Sequence, residues 1–220
     1  MIGNSEIADD IKDVETYVVE LEKIMPTIQQ WPFSIAPCDL RVLVTGCLGF
    51  IGSDFVRLCR KHFSWILDGI DKETYAADWR RLEGFQLNSF TPGDLADRQR
   101  VFSLVESTKP DVIVNYAAET HVDNSILDSA SFIQSNIVGV HNLLDAIRLK
   151  SPQTLLVQIS TDEVFGPRGR NEPAGEDCVE YKPGNPYAAS KASAELLIRS
   201  YANTYGIRTC IIRSCNIFGK

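Results

Sequence analysis

Leu40-Arg41-Val42-Leu43-Val44-Thr45-Gly46-Cys47-Leu48-Gly49-Phe50-Ile51-Gly52 is the stretch that decides the fold. Its first six residues are rich in apolar and β-branched side chains and read as a buried strand of a parallel sheet. The glycines that follow have separate tasks. Gly46 permits a tight turn, Gly49 lets a pyrophosphate approach the backbone, and Gly52 lets helix and strand pack closely. A helix running from there to about His62, with Phe50 and Ile51 in its first turn, aims its free N–H groups at the phosphates. The spacing is Gly-x-x-Gly-x-x-Gly, so the strand before and the helix after carry the inference.

Outward from this turn, strand and helix patterns alternate. Trp65–Ile70 reads as a second strand ending at Asp71, and Phe85–Phe90 as a third, followed by a turn at Thr91-Pro92-Gly93-Asp94. Leu95–Thr108 is helical, Val112–Tyr116 a fourth strand, and Ser131–Lys150 a long helix with Asn136 facing inward. Leu155–Ile159, a helix over Tyr187–Tyr205 and a strand over Arg208–Ile212 complete the pattern. The alternation predicts an α/β fold, a doubly wound parallel sheet of the Rossmann type, over residues 40–220. Residues 1–39 read as a separate N-terminal helical extension. Ile7, Ile11, Val14, Val18, Leu21 and Met25 form a heptad-like seam on an acidic helix, and Pro26, Pro32 and Pro37 mark a linker. That helix either packs on its own domain or binds a partner.

Composition bounds the function. The net charge of −7 argues against a nucleic-acid partner. No apolar run approaches the length that spans a bilayer, and the acidic N-terminus lacks the basic start of a secretory signal. Six scattered cysteines and three unclustered histidines give no metal site and suggest reduced thiols in a cytoplasmic protein.

Two stretches carry chemistry. Ser160-Thr161-Asp162-Glu163-Val164-Phe165-Gly166 places a hydroxyl and two carboxylates beyond a strand end, where ligands of open α/β sheets bind. Adjacent carboxylates there can serve as acid and base, or form an ordinary acidic turn. Asn185-Pro186 starts a helix that puts Tyr187 and Lys191 on one face. An ammonium beside a phenol lowers the phenol's pKa and makes Tyr187 a candidate general base. Asp71, 25 residues past Gly46, stands where an acid binds adenosine ribose hydroxyls and favours NAD over NADP, with the adjacent Lys72 pulling the other way. Asp94 reaches toward an adenine or closes a turn. Ala117 and Ala118 are small enough for a cofactor to lie against, and His121 in the following loop faces a sugar or solvent.

These motifs resemble the extended short-chain dehydrogenase/reductases, and among them the nucleotide-sugar 4,6-dehydratases that act on dTDP- or UDP-glucose. The likeness covers about residues 40–219 and rests on Val44-Thr45-Gly46-x-x-Gly49-Phe50-Ile51-Gly52-Ser53, Asp71-Lys72-x-Thr74-Tyr75-Ala76, Ala117–Asp123, Ser160–Gly166, Tyr187-x-x-x-Lys191 and Arg213-Ser214-Cys215-Asn216. The Asp162-Glu163 pair separates dehydratases from the related 4-epimerases and decarboxylases, which remain the alternative within this fold. A non-catalytic NAD-binding protein with a partner-binding helix is the alternative outside it.

The resemblance implies that Tyr187 takes the proton of the sugar C4 hydroxyl as hydride passes to NAD. Glu163 would then remove the C5 proton, Asp162 would protonate the departing C6 hydroxyl, and hydride would return to C6. It further implies that Thr161 bonds the C4 oxygen and that His121 and Asn216 touch substrate. Lys72, Thr74, Leu95 and Thr120 would join the cofactor contacts, and Lys191 would hold the nicotinamide ribose. Homodimers would pair the helices at 131–150 and 187–205. The chain departs from the family at Asn124, Ile217 and Lys220, in its long N-terminal extension, and in lacking the substrate domain. It is therefore expected to bind NAD but to turn over sugar poorly alone.

Overall fold

The computed structural model describes residues 40–168, 174–176, 178 and 180–218. The expected N-terminal helix and its linker lie outside the described residues. Six strands form one parallel sheet: β1 (Arg41–Thr45), β2 (Ile66–Asp71), β3 (Ser89–Pro92), β4 (Val112–Asn115), β5 (Leu155–Thr161) and β6 (Thr209–Ser214). Their spatial order is β3-β2-β1-β4-β5-β6, so the winding reverses between β1 and β4. That reversal opens a crevice at the strand C-termini, where such folds bind ligands.

Helices α1 (Phe50–His62), α2 (Arg98–Thr108), α3 (Val122–Leu127) and α5 (Pro186–Tyr205) connect the strands. A fifth, α4, is composite: Ala130–Phe132, a π segment Ile133–Val138 and Gly139–Lys150 follow without a break. The sheet is buried on both faces. Leu43, Ile113 and Leu156 point into one core with α2, α4 and α5, while Val42, Val44 and Val114 point into the other with Val56 and Cys59 of α1. Alternate residues thus serve opposite cores, which is why these strands read as continuous apolar runs. Each fully buried Leu or Ile contributes roughly 1.5–3 kcal/mol.

The third strand is not where the apolar pattern places it. Gly84 turns with φ +81, Phe85–Leu87 is irregular, and pairing to β2 begins with Asn88 N donating to the Leu67 carbonyl at 2.7 Å. Leu87 instead packs into the core beneath Gly69. Pro92 ends β3, which is an edge strand and so tolerates a missing donor. The long helix predicted over 131–150 is present but contains the π turn, marked by Gly139 N donating to the Gln134 carbonyl. Gly139 has no side chain because Leu95 packs there; a Cβ would lie 2.9 Å from that of Leu95.

Candidate active site

The glycine turn is built as its residues require. Gly46 adopts φ +64, and a Cβ on it would sit 2.7 Å from the backbone nitrogen of Ala117. A Cβ on Gly52 would strike the Gly46 carbonyl oxygen. Gly49 takes the N-cap place of α1 with no side-chain cap, and no acid lies in the first turn, with Phe50 and Ile51 opening the helix. The helix's own cap and first turn therefore supply no anion to its positive end.

A groove opens beside this turn, and its walls include Gly46, Gly49, Asp71, Lys72, Thr74, Asp94, Leu95, Ala117 and Ala118, all sequence-predicted. Gly52 lies buried behind the turn, and Thr120 is exposed past β4. Asp71 is buried and braces the turn: its carboxylate accepts from Leu48 N at 3.0 Å and Glu73 N at 2.8 Å. Asp94 accepts from Ala96 N at 2.9 Å, closing a local turn while still facing the groove. The Lys72 ammonium lies 2.8 Å from a Glu119 carboxylate oxygen, 2.8 Å from the Ser135 hydroxyl and 3.9 Å from Asp94. The π turn advances the helix phase so that consecutive Ser135 and Asn136 are both buried against this edge. The Asn136 side chain grips the Glu119 backbone with two bonds of 2.9 Å and donates to the Ser190 hydroxyl at 2.8 Å.

On the other side of β4, Thr161, Asp162 and Glu163 lie near Tyr187, with Lys191 one turn further along α5. Thr161 ends β5, and its hydroxyl accepts from Glu163 N at 3.2 Å, capping the short 3-10 turn Asp162–Phe165. Asp162 is exposed and Glu163 half-buried. Asn185 caps α5 through Ala188 N at 2.8 Å and with its amide donates to Glu163 at 2.9 Å. Tyr187 packs edge-on against Phe132, and its backbone nitrogen donates to the Ser125 hydroxyl at 3.2 Å. Burial pushes the Tyr187 phenol above its ordinary pKa; the nearby Thr161 hydroxyl opposes this, and the charges of Glu163 and Asp162 add to it. The charges of both carboxylates therefore reach the phenol.

One expectation is corrected. Lys191 does not depress the Tyr187 pKa here, because its ammonium is turned into the protein and donates to the Ile159 carbonyl at 2.7 Å. Burial pushes Lys191 itself down to about 8, and the Glu195 carboxylate limits the fall. The same Ile159 carbonyl accepts from Gln158 Nε2 at 2.9 Å, Gln158 accepts from Asn115 at 2.7 Å, and Asn115 accepts from Thr45 at 2.5 Å. A buried polar row thus crosses β1, β4 and β5 beneath the crevice.

Sequence reasoning missed Glu195. It follows Lys191 by one turn and is fully buried, accepting from Ser160 at 2.5 Å, Tyr181 at 2.8 Å and Arg213 at 2.6 Å. The spacing Tyr187, Lys191, Glu195 was the available signal, since three polar residues at i+4 steps mark a helix face. His121 and Asn216, the other predicted substrate contacts, are exposed near the same strand ends. Among the described residues no group of His, Cys, Asp or Glu could hold a metal ion, and no helix is long and apolar enough to cross a membrane.

Comparison with known proteins identifies relatives. Residues 43–220 match the family model described as GDP-mannose 4,6 dehydratase. The low-salt glycan biosynthesis protein Agl12 of Haloferax volcanii is 43% identical over 181 residues, covering 81% of this chain and 57% of the relative. The dTDP-glucose 4,6-dehydratase of Haemophilus influenzae is 37% identical, covering 82% and 56%. Among solved structures, the DesIV dTDP-glucose 4,6-dehydratase of Streptomyces venezuelae, with NAD and TYD bound, superposes with a TM-score of 0.74 at 34% identity, covering 82% and 57%. The chain spans about half the length of the curated relatives it matches.

Proposed function

This chain belongs to the GDP-mannose 4,6 dehydratase family, and from that membership we propose that it carries the NAD-binding half of a nucleotide-sugar 4,6-dehydratase acting on dTDP- or UDP-glucose. The observation that carries this reading is the convergence of Thr161, Asp162 and Glu163 with Tyr187 at one strand end, beside a groove walled by the glycine turn.

The groove fits a dinucleotide on its own evidence. Gly46 and Gly52 have no room for side chains, and the start of α1 lacks any capping side chain. In this reading the backbone of Gly46, Gly49, Phe50, Ile51 and Gly52 receives the pyrophosphate. Asp71, Lys72 and Thr74 attend the adenosine ribose, Asp94 and Leu95 the adenine, Ala117, Ala118 and Thr120 the middle, and Tyr187 the nicotinamide ribose, which Lys191 would reach by releasing the Ile159 carbonyl. Bound NAD supplies reversible two-electron oxidation, so that the net change in the sugar is loss of water.

The chain's own residues move the protons. Tyr187 takes the proton from the C4 hydroxyl while Thr161 hydrogen-bonds the same oxygen, which requires the burial that raises the phenol's pKa to be offset by the positive charge of a bound nicotinamide. Glu163, steadied by Asn185, removes the C5 proton. Asp162, open to solvent, delivers a proton to the C6 hydroxyl as it departs as water. His121 and Asn216 contact the substrate. Exposed Ile133 and Leu149 on α4 and Leu196 on α5 support pairing of these helices in a homodimer.

The test uses the purified chain with NAD and either dTDP- or UDP-glucose, following the 4-keto-6-deoxy product. Wild type should bind NAD and form this product only slowly, and Glu163→Gln should slow its formation by roughly a further hundredfold while C4 oxidation persists. Failure to bind NAD, or elimination by the variant at the wild-type rate, would sink the reading, and brisk turnover by the chain alone would overturn the expectation of slow turnover.

A further inference from the structure

Lys72 is the only cation among the described residues walling the groove. Read from sequence, a lysine beside Asp71 opens the groove to a cofactor phosphorylated on its adenosine ribose. The structure gives that lysine another occupation. Glu119 lies 2.8 Å from its ammonium, with the carboxylate about five-sixths withdrawn from solvent at 15% exposure. Asp94 adds a second negative charge at 3.9 Å. The arrangement is held from behind, because Asn136 bonds both the N–H and the carbonyl of Glu119. The guanidiniums of Arg81 and Arg100 donate to the carbonyls of Leu48 and Ala76 and of Pro92, and neither lines the groove.

We infer that Glu119 is a specificity-determining residue: by pairing with Lys72 it withholds from the groove the one cation that would accept a ribose phosphate, and so selects NAD against NADP. The inference rests on the proposed dinucleotide reading and deepens it. The physics is a difference in charge, since a doubly negative phosphate meets Asp71, Asp94 and Glu119 against one neutralised ammonium. Removing Glu119's charge alone leaves Lys72 available without altering the glycine turn. Both the pair and its partial exposure make the effect dependent on ionic strength.

Glu119→Gln keeps an acceptor for the lysine and removes the charge. Binding of NAD and of NADP to the purified chain, each measured by calorimetry at low salt, gives the ratio of their affinities without any sugar turnover. The ratio should move toward NADP by roughly tenfold in Glu119→Gln, the size expected for freeing one ammonium to pair with the phosphate. Glu119→Ser must shift it in the same direction, which covers the case of one variant folding poorly. Adding Lys72→Met to either should abolish the gain, closing a double-mutant cycle. An unchanged ratio with NAD still bound overturns the inference alone, as does a gain that survives without Lys72. A wild-type chain that binds neither dinucleotide overturns the cofactor reading and this inference with it.

Discussion

The fully buried Glu195 carboxylate of α5 lies 2.6 Å from the Arg213 guanidinium of β6. Around this pair meet Ser160 at the end of β5 and Tyr181 in the loop before α5, while the guanidinium stacks over Phe165. Four segments of the candidate site are thus fixed by one ion pair.

Removing the cation leaves a buried charge without a partner, so Arg213→Met should destabilise the domain by about 3–5 kcal/mol. The pH dependence gives an independent check. Hydrogen bonds from Arg213, Ser160 and Tyr181 outweigh burial and hold the Glu195 pKa down. A depressed carboxylate contributes stability that is present above its unfolded pKa and lost as pH falls through the folded value. Urea unfolding of wild type should weaken on acidification below about pH 4.5, and the variant should lose that part of the slope.

Lys191 has the opposite linkage. Its folded pKa, about 8, lies below the ordinary 10.5. The penalty for burying its charge is present in full below about 8 and relieved as pH rises toward 10.5, where the unfolded chain still holds the proton. Between about pH 8 and 10, wild type should therefore gain stability relative to Lys191→Met. Parallel curves for the two proteins over that window would show that the ammonium is not buried as described.

Asn185 separates folding from chemistry. Asn185→Asp keeps an N-cap acceptor for Ala188 N, so stability should change by no more than about 1 kcal/mol. It exchanges the donor facing Glu163 for a second negative charge. Two carboxylates that close resist ionising together, so the acid limb of the elimination rate should move to higher pH. A variant with unchanged pH–rate profile would remove Glu163 from the proton-transfer role.

Gly52→Ala tests the turn. The added methyl meets the Gly46 carbonyl, and a backbone shift there should cost about 1–3 kcal/mol. NAD affinity should fall with it, since the same shift moves the turn that lines the groove. Calorimetry and thermal melting measured together would expose a variant that melts early yet binds normally, which is the result that contradicts this account.

Much of this was legible in sequence because local rules governed it. The turn at Gly46 needed a positive φ, the strand ends carried Asp71 and Thr161, and Asn185-Pro186 announced α5 as a cap and a first-turn proline. What escaped notice depended on distant partners. Lys72 beside Asp71 gave no hint that Glu119 would neutralise it. Lys191 seemed a neighbour for Tyr187, yet the carbonyl of Ile159, a residue of another element, claimed its ammonium. Glu195 went unremarked because its partners Ser160, Tyr181 and Arg213 lie on other elements. Phe85–Leu87 had the apolar content of a strand, but Gly84 had already bent the backbone and Leu87 filled a space under Gly69.

The π turn of α4 leaves a mark on how this region can change length. It holds one residue more than a regular helix would between Phe132 and Gly139. Deleting Gln134 would restore an ordinary ladder of backbone bonds, and any loss would come from phase alone. Each residue of helix turns the chain by about 100°, so the deletion would swing everything before the gap around the axis relative to everything after it. Phe132 could not then keep its edge-on contact with Tyr187 while Asn136 served Glu119 and Ser190. The surplus residue is thus the spacer that lets one rigid rod answer to two differently aligned surfaces.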